Sequence, residues 1–479
     1  STDYDTSDRL YFEPVTLEDV LAVYRRERCD GAIVQFGGQT PLNLALELQA
    51  AGVAIIGTSP ENIEKAEDRE FFKRLAEQVG VKQPANGTAT DPDSARTIAN
   101  RIGFPVLVRP SFVLGGRAMA IVYTEPFFET FCREAFAASE GRPVLIDKFL
   151  EDAVEVDVDC LADGEIEVIG GVMEHIEKAG IHSGDSACQM PPQGLAPEIV
   201  ERIREHTRAL ARGLDVRGLM NVQYAVQDGE VYILEVNPRA SRTVPFVGKA
   251  SGVPLAGIAA RVMAGESLRS IGFTREVTLR HVAVKEAVLP FARFPGCDVR
   301  LTPEMRSTGE VMGLDLDPGM AFIKSQQAAG NPIPRSGGVF VSVSGERASD
   351  RTEMVTCARE LAAMGYAIWA TCGTATLLRD SGVPARAAFA ISEGRPNALD
   401  LMRDGDAGWI INVPSGCQPQ LDEVKMRTEA VRRGVPMTTT LRGLRAAIDG
   451  LQTLAAHPEV EVLTLQEYHR ATIRKGKPS

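Results

Sequence analysis

Apolar and polar positions alternate or cluster along this chain in a way that predicts strands and helices in succession. Residues 16–28 carry a helical period, and G-A-I-V-Q-F-G (31–37) and V-A-I-I-G (53–57) read as buried strands. Between them Thr40 is a candidate helix cap, with Pro41 at the first helical position. The Gly37-Gly38-Gln39 turn could also bring backbone N–H groups to an anion. Strands alternating with helices predict a parallel, doubly wound sheet here. From Glu61 a charged helix runs through A-E-D-R-E-F-F-K-R-L-A. P-V-L-V-R-P (105–110) and A-M-A-I-V-Y (118–123) then predict a hairpin with a long glycine-bearing tip, S-F-V-L-G-G-R (111–117). P-V-L-I-D-K-F-L (143–150) leads to E-V-D-V-D (155–159). Period-two alternation puts Glu155, Asp157 and Asp159 on one face. A polar loop (175–186) and a helix (198–212) follow. M-N-V-Q-Y-A-V (220–226) then pairs with V-Y-I-L-E-V-N (231–237) across Asp228-Gly229. The stretch from Leu301 to Pro334 reads as connection, with N-P-I-P-R-S-G-G (331–338) as linker. A second α/β unit follows: strand 339–344, helix 352–364, strand 367–371, a C-G-T turn, helix 375–381, strand 409–413, helix 422–433 and a closing helix near 442–455.

The strand ending in L-E-V-N-P-R-A carries the clearest chemistry. Residues two apart share a strand face, so Glu235 and Asn237 present a carboxylate and an amide oxygen side by side. Gln223 on the partner strand adds a third oxygen. Hard oxygen donors of this kind suit a Mg²⁺ that also holds substrate phosphates. Pro238 stops the strand, and Arg239 and Arg242 follow where phosphates would lie. Around the tip 111–117, glycines would let backbone N–H groups approach oxyanions while Arg109 and Arg117 supply charge. The D-K-F-L segment (147–150) could flank an adenine, which makes Lys148 and Leu150 candidates, and Glu155 could accept from ribose hydroxyls; Phe149 and Leu150 serve equally well as core residues. His182 reads equally as a surface histidine and as part of a polar site with Ser183 and Asp185.

Composition narrows the class. The 479 residues suggest about two to four domains. A net charge of −12 argues against general nucleic-acid binding. No apolar run is long enough for a bilayer, and no charged-then-apolar leader opens the chain. Eight scattered cysteines without C-x-x-C fit reduced, structural thiols in a cytoplasmic protein, and six histidines lack zinc spacing. The chain opens at Ser1 without an initiator Met or a first strand, which suggests a piece of a longer polypeptide.

Several runs together carry a resemblance: R-P-S-F-V-L-G-G-R-A-M, M-E-H-I-E-K-A-G-I-H-S-G-D-S, R-G-L-M-N-V-Q-Y-A-V and L-E-V-N-P-R-A-S-R-T-V-P-F-V. They resemble ATP-grasp enzymes, and more narrowly the C-terminal half of the large subunit of carbamoyl phosphate synthetase. V-K-E-A-V-L-P-F and P-E-M-R-S-T-G-E-V-M-G extend the resemblance over essentially the whole chain. It implies an α/β and α+β multidomain fold: a truncated pre-ATP-grasp domain (1–60), an ATP-grasp domain (61–265), the remainder of the synthetase unit and connection (266–330), and a Rossmann-like regulatory domain related to methylglyoxal synthase (331–479).

The resemblance implies phosphorylation of carbamate by MgATP. Mn²⁺ can stand in for Mg²⁺, and K⁺ is a further candidate ion. Arg69, Arg109 and Arg117 would hold phosphates and the carbamate. Leu150 and Glu155 would bind adenosine, and Gly180, Ile181, His182 and Ser183 would line the nucleotide site. Gln223, Glu235 and Asn237 would ligate the metal, and Arg239 and Arg242 would steady the transferred group. Implied partners are the N-terminal half of the same subunit and a small glutaminase subunit. Glu177, Asp185 and Glu286 match acids that bind ornithine in some relatives; at Glu177 and Asp185 a solvated surface acid is the competing view. Thr371, Gly373, Thr374 and the Asn412–Gly416 turn would take a phosphorylated effector such as UMP or IMP. No lysine lies between Lys324 and Lys425 to serve that pocket, Pro414 stands where a threonine is expected, and Arg347 or Arg395 could supply the charge. Two rivals stand beside this reading. One is another ATP-grasp ligase such as a biotin carboxylase, against which the unit after Pro334 argues. The other is a catalytically silent effector-binding module, against which the Gln223–Glu235–Asn237 set argues.

Overall fold

A computed structural model of the chain describes residues 7–110, 118–139, 141–177, 179–294, 301–343, 348–413 and 421–473. The first segment holds helices α1 (Leu17–Glu27), α2 (Gln39–Asn43), α3 (Ala45–Ala50) and α4 (Pro60–Glu67). Thr16 caps α1 by accepting from the Asp19 N–H. Thr40 is not the cap of α2: that helix starts at Gln39, two residues before Pro41, after Gly38, whose φ of 70° suits glycine. The two strands predicted here touch only at one parallel bridge, Ala32 to Ile55. One bridge is too short for a ladder, and the first segment is met on its other side only by the Ala240 N–H, which donates to the Gln35 carbonyl. Their apolar residues Val34 and Val53 instead join Leu42, Leu48 and Ile63 in a small core.

The charged helix predicted from Glu61 is two helices. Asp68 takes an extended conformation and caps α5 (Arg69–Val79) by accepting from the Phe71 N–H at 2.7 Å. Next come β1 (Asn86–Ala89), α6 (Pro92–Ile102), β2 (Val106–Pro110), β3 (Ala120–Val122), α7 (Glu125–Ala138) and β4 (Val144–Lys148). The strands form an antiparallel sheet ordered β1-β4-β2-β3. Val106 pairs with Val122 in the predicted hairpin. Its tip, Ser111–Arg117, lies outside the described residues.

A seven-stranded antiparallel sheet carries the site. Its strands are β5 (Val154–Ala162), β6 (Glu167–His175), β7 (Cys188–Met190), β8 (Gly218–Gln227), β9 (Glu230–Asn237), β10 (Val282–Val288) and β11 (Gly309–Asp315), ordered β11-β10-β7-β6-β5-β8-β9. Helix α8 (Pro197–Gly213) covers one face, where Val156, Val158, Val222 and Tyr224 pack with Ile203 and Leu210. Helices α9 (Val244–Ser251), α10 (Leu255–Met263) and α11 (Leu268–Ile271) pack at one end of the other face, where Leu161 and Met173 meet Val247 and Leu255. The stretch expected to be connection after Leu301 contains β11 and helix α12 (Pro318–Ala328). Alternation in β11 is blurred because α12 lies against it: a Cβ at Gly313 would fall 2.1 Å from the Ala321 carbonyl oxygen.

The last unit has β12 (Gly338–Val343), α13 (Ala348–Ala363), β13 (Ala367–Thr371), α14 (Cys372–Asp380), β14 (Arg386–Ala388), α15 (Ala398–Asp404), β15 (Trp409–Val413), α16 (Leu421–Arg433), β16 (Met437–Thr438), α17 (Leu441–Ala456) and α18 (Leu465–Ile473). Its sheet, β14-β13-β12-β15-β16, is wholly parallel with helices on both faces. The doubly wound architecture expected at the start of the chain is therefore found at its end. The C-G-T run is not a turn but the first turn of α14. Helices α12 and α17 cross at glycines: a Cβ at Gly319 would fall 2.3 Å from the Gly450 nitrogen. One apolar cluster consequently runs from Val284 through Met320 and Ile323 to Val339 and Leu451. Helix α18, unforeseen from the sequence, returns to the seven-stranded sheet, where the Tyr468 hydroxyl donates to the Leu314 carbonyl at 2.8 Å.

Candidate functional site

Strand register builds the site. Asp157 pairs with Gln223, which pairs with Glu235; Asp159 pairs with Asn221, which pairs with Asn237. Directly opposed residues point to one face, so six polar side chains form two rows across β5, β8 and β9. The irregularity at Gln223/Tyr224 keeps both metal candidates of β9 on that face. The opposite face is the apolar one under α8. The Asn237 amide donates to Glu235, and the Gln223 amide donates to the Ser183 hydroxyl at 3.4 Å. With both amide nitrogens so used, two amide oxygens and one carboxylate are what the set offers an ion. Those are hard donors, few in charge, and they fit a Mg²⁺ that takes its remaining ligands from phosphates.

The loop after β6 lies over these rows. The Gly180 N–H donates to Glu155 at 2.9 Å. Gly180 has φ of 90°, and a Cβ there would collide with Ile121 and with the Phe149 ring. The His182 N–H donates to the Thr302 carbonyl at 3.0 Å, and Lys285 donates to the Ser183 carbonyl at 3.1 Å. His182 Nδ1 accepts from the Gly184 N–H at 3.0 Å, so the neutral ring carries its proton on Nε2. Burial lowers the pKa of His182, and the neighbouring Arg242 works in the same direction against Asp185 and Glu235. Burial raises the pKa of Glu155. His175 sits between Asp157 (2.7 Å) and Glu155 (3.5 Å). Burial opposes its charge, but the adjacent Cys188 and Asp157 outweigh that and hold its pKa well above the usual value.

Arginines outnumber the carboxylates that face them. Arg109 pairs with Asp147 at 2.7 Å, and Arg69 feels the same carboxylate while donating to the Thr88 hydroxyl. Burial lowers the pKa of Arg69, and Arg109 adds repulsion. Arg239 is likewise lowered by burial; Glu235 and Glu67 oppose this and Arg242 adds to it. Arg239 Nε is buried without a hydrogen-bond partner among the described residues. Crowded, desolvated guanidinium groups of this kind suit an anion. Arg117 lies outside the described residues.

Several candidates are already engaged. The Lys148 ammonium donates to the Gly103 and Phe104 carbonyls. The Phe149 N–H is taken by Pro105, and the Leu150 carbonyl accepts from Ala153. Asp185 is buried, not solvated: its carboxylate accepts from the Arg306 and Ser307 N–H groups at 2.7 and 2.9 Å. Glu286 accepts from Gln326, and burial, with Glu177 nearby, pushes its pKa up to about 8. In the last unit the Thr371 hydroxyl donates to Thr374 at 3.0 Å, and Gly373 lies between them in the first turn of α14. Asn412 is buried on β15 and accepts from Arg427 at 3.4 Å. Arg395, one of the two arginines considered for this pocket, is bound to Asp400 instead. Arg347 and the turn from Pro414 to Gly416 lie outside the described residues. Sequence reasoning assigned no role to Asn221, His175, Lys285, Ser241 or Thr243. A lone lysine inside the apolar run V-A-V-K-E-A-V was the available signal for Lys285.

Comparison with known proteins adds the following. Residues 1–65 match the family model described as the carbamoyl phosphate synthase preATP-grasp domain, 68–271 that of the carbamoyl-phosphate synthase L chain, ATP binding domain, and 353–439 that of the MGS-like domain. The chain is similar to the carbamoyl phosphate synthase large chain of Archaeoglobus fulgidus, with 53% identity over 469 residues, 98% of this chain and 43% of that protein. The Myxococcus xanthus large chain gives 53% over 470 residues, with the same coverage. The chain thus spans less than half the length of these relatives. In fold it is similar to a biotin carboxylase from Campylobacter jejuni solved with β,γ-ATP (TM-score 0.53, 16% identity, 67% of this chain and 78% of that one). The biotin carboxylase domain of Hydrogenobacter thermophilus 2-oxoglutarate carboxylase gives a TM-score of 0.50 at 20% identity, covering 58% of this chain and 64% of that one.

Proposed function

The chain belongs to the carbamoyl phosphate synthase large-chain family, and from that premise we propose that it phosphorylates carbamate with ATP as the C-terminal half of such a subunit. The observation that carries the proposal is the cross-strand row Gln223–Glu235, extended by Asn237 and followed at once by Arg239 and Arg242. A carbamate oxygen would attack the γ-phosphorus while the bond to the β,γ-bridging oxygen breaks, giving carbamoyl phosphate and ADP. Carbamate is already an anion, so no general base is required. The residues' work is placement and charge neutralisation. Gln223, Glu235 and Asn237 would hold the divalent cation, which when bound neutralises phosphate charge. Arg69, Arg109, Arg239 and Arg242 would hold the phosphates and carbamate, and the 180–183 loop with Glu155 would hold the nucleoside. Neutral His182 offers its Nε2–H as a donor.

Arginine and pyrimidine biosynthesis, the N-terminal half and the glutaminase subunit as partners, and use of Mn²⁺ or K⁺ belong to the same proposal. So do the effectors: ornithine near Glu177 and Glu286, and UMP or IMP near Thr371, Thr374 and Asn412, to be tested by calorimetric titration. The activity is tested in reverse, as ATP formation from carbamoyl phosphate and MgADP. Glu235→Gln should lower that rate by about 10²-fold or more without unfolding the chain. A variant of near-normal activity would refute the assignment. Bicarbonate with biotin as the preferred acceptor would place the chain with the carboxylases instead.

A further inference from the structure

The segment from Pro238 to Thr243 leaves β9 and carries both arginines of the phosphoryl site. It has no regular structure of its own until α9 begins at Val244. Left to itself, such a segment would sample many conformations, and ordering each residue costs about 1–2 kcal/mol. Two buried side chains, from different parts of the chain, hold it.

On one side is Asp159, 1% exposed. Its Oδ1 accepts from Asn221 Nδ2 at 2.9 Å and from the Ser241 hydroxyl at 2.7 Å; its Oδ2 accepts from the Thr243 hydroxyl at 2.7 Å. The Ser241 and Thr243 hydroxyl oxygens lie 2.6 Å apart, each giving its one proton to Asp159. No ion pair to Asp159 occurs among the described residues, so these donors are what compensates its burial. Burial raises its pKa to about 6, which records how unfavourable a carboxylate is here in a purely structural sense. On the other side is Gln35, fully buried, from the N-terminal segment. Its Nε2 donates to the Pro238 carbonyl at 2.7 Å, and its own carbonyl accepts from the Ala240 N–H at 3.0 Å. Thr58 fixes the Gln35 amide, donating its N–H to Oε1 at 3.0 Å. The arginines therefore alternate with anchored residues: Pro238, Ala240, Ser241 and Thr243 are tied down, while Arg239 and Arg242 project from between them.

We propose that Asp159 is a positioning residue for phosphoryl transfer, fixing Arg239 and Arg242 through Ser241 and Thr243 against the counter-anchor Gln35. The proposal rests on the reading of those arginines as phosphoryl-binding groups. It explains why a carboxylate occupies a position where a small apolar residue would be easier to bury. Both carboxylate oxygens accept, so one side chain holds two hydroxyls and an amide in a single geometry.

The test uses Thr243→Val, Thr243→Ser, Asp159→Asn and Arg242→Ala in this chain. Two quantities are read: the kinetics of ATP formation from carbamoyl phosphate and MgADP, and amide exchange across residues 238–244. Thr243→Val and Asp159→Asn should lower kcat by about tenfold to a hundredfold, as displaced catalytic groups do. KM for MgADP should stay within about twofold, and Thr243→Ser should restore kcat to within about twofold. Exchange should quicken in 238–244 and stay unchanged in β12–β15. If Arg242→Ala loses activity while Thr243→Val keeps its kcat and its exchange pattern, the positioning role is overturned. If Arg242→Ala keeps full activity, the phosphoryl reading fails instead. Should the unmodified chain not turn over by itself, exchange decides: quickening confined to 238–244 supports the clamp, and unaltered exchange overturns it. Should Asp159→Asn not fold, Thr243→Val carries the test.

Discussion

Gly180→Ala is the sharpest probe of the loop proposed to line the nucleotide site, because the structure shows what the added methyl group would meet. Gly180 has φ of 90°, outside the region that L-residues enter readily. A Cβ there would fall 2.6 Å from Ile121 Cδ1 and 2.8 and 2.9 Å from two carbons of the Phe149 ring. The backbones of both neighbours are held in place, so relief must come from their side chains or from the loop itself. Ile121 sits in β3, the Phe149 N–H is bonded to Pro105, and the ring packs edge-on to Tyr123 at 6.2 Å. A left-handed backbone costs about 1–2 kcal/mol, and overpacking costs about 1–3. The sum is about 2–5 kcal/mol, and at about 1.4 kcal/mol per tenfold its lower end alone is about 30-fold. The loop can escape by lifting off the hairpin, which breaks the Gly180–Glu155 hydrogen bond and would spoil the proposed nucleoside site. It can also stay in place and carry the strain, which lowers stability. Calorimetry of MgADP binding reads the first outcome and the thermal midpoint reads the second. Unchanged MgADP affinity together with an unchanged midpoint would refute the geometry from which the penalty is worked.

Two further predictions concern charge. The Glu286 pKa is raised, chiefly by burial, from 4.5 to about 8, so its contribution to stability is full below about pH 4.5 and lost as pH rises through about 8. Glu286→Gln should flatten that loss, and equal pH profiles of the thermal midpoint for both proteins would contradict it; in the wild type, affinity for a cationic amine at this site should rise as pH passes 8. Arg442 at the start of α17 pairs with the fully buried Glu174 of β6, which also accepts from the Gln193 and Gly194 N–H groups at 2.7 Å each. Because those donors remain, Arg442→Ala should cost about 1.5–3 kcal/mol, less than stripping a buried charge of every partner. Adding Glu174→Gln should recover part of it, and a loss under about 0.5 kcal/mol in urea unfolding would show the pair to be idle.

Local pattern determined a good deal of this protein. Period-two alternation placed Glu155, Asp157 and Asp159 on one face, and Asp228-Gly229, both with positive φ, closes the β8–β9 hairpin as its residue types require. The turn's register alone would oppose Gln223 to Leu234; the irregularity at Gln223/Tyr224, which only the folded sheet shows, is what sets Gln223 against Glu235. The misses share a different cause. Asp68 splits a helix because its side chain caps better than it continues. The segments 31–37 and 53–57 have strand composition, but a strand needs a continuous ladder, and among the described residues these two meet at a single bridge. Helix α18 was unforeseen because its partners, Leu314 and Lys249, lie more than a hundred residues earlier in the chain. The groups that finish the site are likewise distant in sequence, by 84 to 203 residues. Gln35 reaches Pro238, Asp159 reaches Thr243, Lys285 reaches Ser183, and Arg306 closes over Asp185. Each residue alone reads as an ordinary polar side chain on an apolar strand or in a loop. Which strands become neighbours, and so which buried donors meet which acceptors, is decided only when the chain closes on itself: hydrogen bonding is short-ranged in space and blind to separation in sequence.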